Sequence, residues 1–193
     1  MPRICVFTGS RDGLRPSYRV AAVELGRTLV ERGFELVYGG AHVGLMGAVA
    51  DSVLAAGGRV IGVIPQSLVN REVAHTGLTD LRVVATMHER KAMMADLSDA
   101  FIAMPGGWGT FEELFEVLTW SQLGLHRKPC GLLNVDDYFG PLLAVLRHAA
   151  DEGFVKPEAA GFIPVDASPG GLLDAFAQYQ PPPVRTWNGR DIR

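Results

Sequence analysis

The sequence has two cysteines, three lysines and no long apolar segment, and these shortages exclude several classes of protein. Cys5 and Cys130 are the only thiols, and their spacing fits neither a metal site nor a disulfide framework. We expect both to be buried and reduced. No apolar run approaches the roughly 20 residues that cross a bilayer, and the N-terminus lacks the pattern of a secretory signal. We therefore expect a cytoplasmic protein with no membrane partner.

Charge of either sign is not concentrated anywhere in the chain. The formal net charge is −3, which gives no reason to expect nucleic acid as a partner. The five histidines follow no ligand pattern, so we expect no metal. A length of 193 residues with 48% hydrophobic residues is enough for one domain with a sizeable core.

Short apolar runs alternate with amphipathic segments along almost the whole chain. Most runs are continuously hydrophobic, which is typical of parallel strands covered on both faces. The predicted strands are Ile4–Thr8, Leu36–Tyr38, Val60–Ile64, Leu81–Val84, Phe101–Met104, Gly131–Val135 and Phe162–Val165. This alternation predicts an α/β fold with a doubly wound parallel sheet of about seven strands in a single domain.

The helical segments carry their own boundary signals. The first repeats apolar residues from Tyr18 to Leu29 at helical spacing, and Gly33 stands where it should stop. Thr86 and Glu89 fit a capping box at the start of another helix. We expect the domain to span residues 1–180. Residues 181–193 begin with three prolines, which cannot continue a helix, so we expect a surface tail there.

Four unusual loops follow predicted strands: residues 9–13, 39–47, 65–72 and 105–113. Ligands of open α/β sheets bind beyond the carboxyl ends of the strands, so these loops predict a ligand site on one edge of the sheet. The last loop, Pro-Gly-Gly-Trp-Gly-Thr-Phe-Glu-Glu, reads as strand, glycine-rich turn and helix start. Such a helix start binds anions, but the two carboxylates would repel a phosphate. We therefore expect a ligand with an anionic end and a separate end where a carboxylate is useful.

The charged groups near this edge have a structural and a functional interpretation. Arg90 follows the capping box and points toward the packed side of its helix, either as a stem that covers apolar surface or as a cation that reaches the ligand. One acid in a first helical turn is explained by the helix dipole. Adjacent positions point about 100° apart, so we expect Glu112 and Glu113 to differ in role. Trp108 is either a lid or a hydrophobic anchor.

Two nucleotide-binding classes are excluded by their motifs. No G-x-x-x-x-G-K-[ST] occurs, so the chain is not a P-loop NTPase. The first turn reads Gly-Ser-Arg-Asp-Gly rather than G-x-G-x-x-G, and the second strand ends at Tyr38-Gly39-Gly40 without an acid. Both features argue against a dinucleotide dehydrogenase.

The order GSRDGLRPSY, YGGAHVGLMG, GVIP, Glu72, MHERK and PGGWGTFEE resembles the Lonely Guy (LOG) family. Its members are cytokinin riboside 5′-monophosphate phosphoribohydrolases, often mislabelled as lysine decarboxylases. The likeness covers about residues 4–165, and the pairing of MHxRK with PGGxGTxEE is highly specific. Ala41 departs from the pattern, because many members have a third glycine there, and this puts the shape of that loop in question.

The resemblance implies a Rossmann-like homodimer, or a hexamer in some branches, with sites near the subunit interface and no metal or organic cofactor. It implies that Arg90 and Glu113 are catalytic. The residues it implies for substrate binding are Glu72, Lys91, Gly107, Trp108, Gly109, Thr110, Phe111, Glu112 and Thr119.

These expectations lead to one functional hypothesis and two rivals. The hypothesis is hydrolysis of a nucleoside 5′-monophosphate, an N6-prenylated adenosine monophosphate or AMP, to free base and ribose 5-phosphate. Glu113 would stabilise the oxocarbenium-like transition state, and Arg90 would hold the carboxylates ionised by proximity. One rival is a non-catalytic nucleotide-binding or sensing module. The other, lysine decarboxylation, would need pyridoxal phosphate and a reactive lysine, and Lys91 alone lies in a motif.

Overall fold

Seven strands form one parallel sheet in the computed structural model, which describes residues 1–69, 71, 73–155 and 161–181. The strands are β1 (Arg3–Phe7), β2 (Glu35–Tyr38), β3 (Val60–Pro65), β4 (Asp80–Val84), β5 (Ala100–Ala103), β6 (Cys130–Leu133) and β7 (Val165–Asp166). Their order in the sheet is β4-β3-β2-β1-β5-β6-β7, and every neighbouring pair is parallel. The predicted doubly wound α/β fold is confirmed.

Helices connect the strands and cover both faces of the sheet. They are α1 (Pro16–Glu31), α2 (Gly44–Ala55), α3 (Gln66–Val69), α4 (Met87–Asp96), α5 (Trp108–Gln122), α6 (Gly140–Asp151) and α7 (Pro169–Ala177), with a short 3₁₀ turn at Val135–Asp137. None of these helices in the described ranges has the length and apolar character needed to cross a membrane.

Alternate residues of the strands enter separate cores on the two faces. Ile4 and Val6 pack with residues of α1, α2 and α7 on one face, whereas Cys5 and Phe7 pack with residues of α4 and α5 on the other. The helices that follow the neighbouring strands β1 and β5 therefore leave toward opposite faces. The carboxyl ends of those two strands flank the crevice where ligands of such sheets bind.

Local sequence signals account for several helix boundaries. Gly33 follows α1 with a φ of 77°, a left-handed conformation that favours glycine after a helix. At the start of α4, the Thr86 hydroxyl accepts a hydrogen bond from the Glu89 N–H at 3.1 Å. Glu89 reaches back to the N–H of Ala85 at 2.9 Å, one residue before the position expected for a capping box.

The last two predicted strands differ from the structure at their boundaries. β6 ends at Leu133 rather than Val135, because the chain turns at Asn134 (ψ 66°) and enters the 3₁₀ turn. β7 was expected over Phe162–Val165 but comprises only Val165–Asp166. Pro164 has no N–H to donate to a strand ladder, so the apolar residues before it lie outside the sheet.

Both thiols lie in buried strand positions, as expected. Cys5 and Cys130 are free. Burial raises the pKa of the Cys5 thiol and raises that of Cys130 to about 12, so both stay protonated and unreactive near neutral pH. The expected surface tail falls almost wholly on residues 182–193, which lie outside the described ranges.

Candidate active site

A cavity of about 930 Å³ opens at the carboxyl edge of the sheet. Its wall includes residues from all four loops that the sequence singled out, with Ser10, Ala41, Leu68 and Gly107 as one example from each. The prediction that these loops converge is confirmed. Their contacts are tight, because a Cβ on Gly44 would lie 2.4 Å from the backbone of Ser10 and Arg11.

Arg90 and Glu113 meet in the wall of this cavity. Arg90 comes from α4 and Glu113 from α5, and Nη1 of the arginine lies 3.2 Å from Oε1 of the glutamate. Each residue is 7% exposed. Removing one partner of a buried ion pair destabilises the folded protein, because the other group stays buried without its counter-charge. The two side chains therefore depend on each other for their position.

Backbone carbonyls at the ends of two strands also hold the arginine. Its Nε donates to the Val63 carbonyl at 3.1 Å, and its Nη2 donates to the Gly39 carbonyl at 3.4 Å. A guanidinium has five N–H donors. The two described hydrogen bonds use the Nε–H and one N–H of Nη2, so N–H groups of the terminal nitrogens remain for Glu113 and for a ligand in the cavity. The interpretation of Arg90 as a stem that covers apolar surface does not describe this geometry.

Glu113 titrates near neutral pH. Burial raises the pKa of this carboxyl to about 7, although the positive charge of Arg90 acts in the opposite direction. Arg90 does favour the ionised form of this carboxyl, as expected, but it does not keep the group fully ionised at neutral pH. The cost of desolvating the carboxylate exceeds the attraction of the guanidinium. A carboxyl with a pKa close to ambient pH is suited to exchange a proton during a reaction.

The adjacent acid, Glu112, has a different environment. Its carboxylate pairs with the Lys91 ammonium, which also lies 3.1 Å from the carboxylate of Glu116. Burial alone would lower the pKa of Lys91, but its hydrogen bonds to the two carboxylates raise it. The two neighbouring glutamates thus separate as their helical spacing predicts. Glu113 faces the cavity, whereas Glu112 holds a lysine beside it.

The glycines of the fourth loop differ in what they permit. A Cβ on Gly106 would collide with the Thr110 hydroxyl at 2.1 Å, so the packing of Thr110 explains that glycine. A Cβ on Gly107 or Gly109 would meet no described atom within 4 Å, and neither residue has a positive φ. Neither packing nor backbone conformation requires glycine at these two positions. Close approach of a ligand to the start of α5 would explain them.

The expected binding residues divide into those that line the cavity and those that do not. Gly107, Trp108, Gly109 and Thr110 line it. Trp108 is 92% exposed, so it does not anchor the loop within this chain. Lys91, Phe111, Glu112 and Thr119 are not part of the cavity wall. Thr119 lies on the exposed part of α5, where its hydroxyl donates to the Phe115 carbonyl, and Glu72 falls outside the described residues.

The cavity wall also contains four side chains that were not among the expected site residues: Arg11, Tyr18, Arg71 and Tyr138. Tyr138 follows β6, and its hydroxyl donates to the carbonyl of Gly106. Its ring stacks on Phe111, with 6.3 Å between the ring centroids. Ligand sites lie beyond the carboxyl ends of parallel strands, and Tyr138 lies five residues after the end of β6. Its position after that strand could therefore have marked it as a candidate.

We expect Tyr138→Phe to weaken binding of phosphate-bearing ligands. The hydroxyl holds the Gly106 carbonyl, and the peptide plane couples that carbonyl to the Gly107 N–H on its opposite side. Losing one such hydrogen bond costs about 1 kcal/mol, which corresponds to a rise in Kd of about fivefold for ribose 5-phosphate, measured by calorimetry. Tyr179→Phe, near the C-terminus, is the matched control. An unchanged Kd in Tyr138→Phe would show that the hydroxyl does not position the loop.

The fold recurs in solved structures. The molybdenum cofactor binding protein of the phototrophic bacterium Rippkaea orientalis has a TM-score of 0.70 to this chain at 24% sequence identity, covering 92% of this chain and 96% of that one. At this identity the likeness concerns the fold alone. The fold and the cavity define a Rossmann-like α/β protein with a large cavity at the switch point of its sheet.

Likeness in sequence identifies the family. A family profile described as "Possible lysine decarboxylase" matches residues 46–176. The probable cytokinin riboside 5′-monophosphate phosphoribohydrolase LOGL5 of Oryza sativa subsp. japonica is 54% identical over 181 residues, 94% of this chain and 74% of that protein. The corresponding enzyme LOG7 of Arabidopsis thaliana is 52% identical over 179 residues, 93% of this chain and 82% of that protein. The chain belongs to the LOG family.

Proposed function

We propose that this chain hydrolyses the N-glycosidic bond of cytokinin riboside 5′-monophosphates, and of AMP, to free base and ribose 5-phosphate. The observation that carries the proposal is the buried pair of Arg90 and Glu113 in the wall of a cavity that reaches the open start of α5. The names of the relatives support the same substrate class. Releasing the free base would activate the cytokinin.

The geometry supports a division of labour along the cavity. The N–H groups at the start of α5 bind the 5′-phosphate, with Gly107 and Gly109 giving it close access. Binding energy at the phosphate, far from the reacting carbon, orients the sugar. The bond between C1′ and the base nitrogen breaks with its electron pair leaving on the base, and Glu113 stabilises the positive charge on the sugar. Water adds to C1′ and gives a proton to Glu113, and the departing base takes up a proton through solvent, which returns Glu113 to its starting state. Arg90 directs its remaining N–H groups at substrate oxygens or the departing base.

Product analysis tests this proposal directly. Purified protein is incubated with isopentenyladenosine 5′-monophosphate or AMP, and free base and ribose 5-phosphate are quantified. We expect both products in equal amounts, with the prenylated nucleotide preferred. The riboside without phosphate is the control, and it should react more slowly because it lacks the orienting group. Folded protein that releases no base from either nucleotide would reject the proposal. Nucleotide binding without release would favour a sensing module instead.

The pH dependence of kcat/KM should show the titration of Glu113. Its raised pKa of about 7 means that the ionised form, which accepts the proton, is lost as pH falls below 7. We expect kcat/KM to decline toward tenfold per pH unit below this value. The substrate phosphate has a pKa near 6, so kcat at saturating substrate is measured as well. A flat kcat from pH 6 to 8 would contradict a base role for Glu113.

The lysine-decarboxylase description finds little support in the described lysines. The raised pKa of Lys91 means that its ammonium form is stabilised, and an ammonium group cannot form a Schiff base. Lys128 donates to the Ala95 carbonyl at 2.8 Å. Neither lysine lines the large cavity, and Lys156 lies outside the described residues. Release of carbon dioxide from lysine in the presence of pyridoxal phosphate would support that activity.

We also propose a homodimer whose second copy packs near the site. Phe115 and Thr119 on α5 and Leu123, the residue that caps its C-terminus, are spaced four residues apart, and all three are exposed. Residues four apart share one helix face, and an exposed apolar stripe favours association. Contact of Thr119 or Lys91 with nucleotide then depends on the assembled dimer. Light scattering should give twice the chain mass, and Phe115→Asp should lower the measured mass.

A cytoplasmic location and a role for Glu72 stay predictions.

A further inference from the structure

Gly39 lies where β2 ends, and the Arg90 guanidinium occupies the place of its missing side chain. A Cβ on Gly39 would lie 1.7 Å from Nη2 and 2.9 Å from Cζ of the arginine. The φ of Gly39 is not in the left-handed region, so the backbone does not require glycine there. Its neighbour Gly40 has a φ of 75°, which explains that second glycine by conformation.

The close approach determines how the guanidinium is oriented. Arg90 crosses the ends of β2 and β3 and donates to one carbonyl on each, at Gly39 and Val63. Its third contact is the Glu113 carboxylate at 3.2 Å. The Nη2 atom that donates to the Gly39 carbonyl lies within the space that a Cβ on Gly39 would occupy. A methyl group at position 39 would lift the guanidinium from the strand ends and away from Glu113.

We propose that Gly39 is a positioning residue for the reaction, because its lack of a side chain seats Arg90 and thereby places the Glu113 carboxylate. This assignment rests on the proposed hydrolase function for its kinetic consequences. Its structural part, that the Arg90 guanidinium fills the space beside the Gly39 α-carbon, does not depend on that function. The second close neighbour, the Met46 methyl at 2.7 Å, is the end of a flexible side chain and can move aside.

Other glycines in the fold are required by different neighbours. A Cβ on Gly131 in β6 would lie 2.5 Å from the Phe176 ring and 2.8 Å from the Leu172 side chain, so its substitution disturbs packing against α7 without touching a residue that Arg90 contacts. A Cβ on Gly170, in the first turn of α7, would meet no described atom within 4 Å. These two positions provide one control that destabilises the fold and one that leaves it intact.

A double-mutant cycle between Gly39 and Arg90 tests the assignment. Gly39→Ala should lower Tm by roughly 5 °C in the wild-type background, because overpacking a full site is destabilising. In the Arg90→Ala background the same substitution should lower Tm by less than about 2 °C, since the atoms it meets are gone. Gly131→Ala should lower Tm equally in both backgrounds, and Gly170→Ala in neither.

Kinetics separate a positioning role from a loss of stability. Folded Gly39→Ala should lose about 100-fold in kcat with a change in KM below about threefold, because a small misplacement of a catalytic group has this effect. The inflection of its pH profile should move above that of the wild type, because Arg90 is further from Glu113. Gly170→Ala should keep both constants and the profile.

The outcomes distinguish this proposal from the hydrolase proposal. If wild type lacks hydrolase activity, the function fails, but the Tm cycle still tests whether Arg90 fills the space at Gly39. If Gly39→Ala does not fold, recovery of folding in the double variant supports the proposal. Equal loss of Tm in both backgrounds, a double variant that fails to fold although Arg90→Ala alone folds, or wild-type kcat in folded Gly39→Ala would overturn it.

Discussion

Glu113→Gln is expected to bind nucleotide with nearly wild-type affinity and to lose turnover by about 10²- to 10⁴-fold, the range for removing a positioned proton-transfer group. The amide keeps the size of the side chain and one oxygen toward Arg90, but it carries no negative charge and accepts no proton from water. The measurement combines kcat for isopentenyladenosine 5′-monophosphate with the Kd of AMP.

The control for this variant is Glu24→Gln, which makes the same chemical change at an exposed position of α1. We expect it to leave kcat and Kd unchanged. Turnover of Glu113→Gln within a few-fold of wild type would remove the carboxylate from the mechanism. A large loss of AMP binding would instead assign Glu113 to ligand binding.

Arg90→Lys is expected to lower kcat by about 100-fold or more, although it preserves the charge. A lysine ammonium cannot reproduce a planar fork that bonds two carbonyls and a carboxylate at once. Arg90→Ala should do the same and also destabilise the protein by about 1–3 kcal/mol, because the Val63 and Gly39 carbonyls lose their donor while the buried Glu113 carboxyl becomes neutral by taking up a proton. Chemical denaturation measures the free energy of unfolding.

The control for the arginine is Arg82→Lys on the edge strand β4, where the side chain is 39% exposed and pairs with Asp80. Such an exposed pair contributes less than about 1 kcal/mol, so this variant should keep its stability and its kcat. If Arg90→Lys retained wild-type turnover, a positive charge alone would satisfy the site and the bonded geometry at the strand ends would be irrelevant.

The sheet was predictable from the sequence because its five inner strands are buried on both faces and therefore read as continuous apolar runs. The bounds of the edge strand β7 were not predictable in the same way. Pro164 has no N–H to donate, so the apolar residues before it lie outside the sheet. The rim of loops was predictable as well, because parallel strands place all their following loops on one edge of the sheet.

The chemistry inside the site was only partly predictable. Helical spacing separated Glu112 from Glu113, but the pairing of Glu112 with Lys91 depends on how α4 and α5 pack. The pKa of Glu113 depends on burial, which no local pattern reveals. Tyr138 and Gly39 were missed because their contacts, with Gly106 and Arg90, join residues distant in sequence.

The most direct test is a crystal structure of Glu113→Gln with isopentenyladenosine 5′-monophosphate. We expect the phosphate at the N–H groups that start α5, and C1′ within about 3–3.5 Å of the residue 113 side chain or of one water that it holds. Residue 90 should contact the same nucleotide. A nucleotide whose phosphate lies away from α5, or whose C1′ is out of reach of residue 113, would contradict the account.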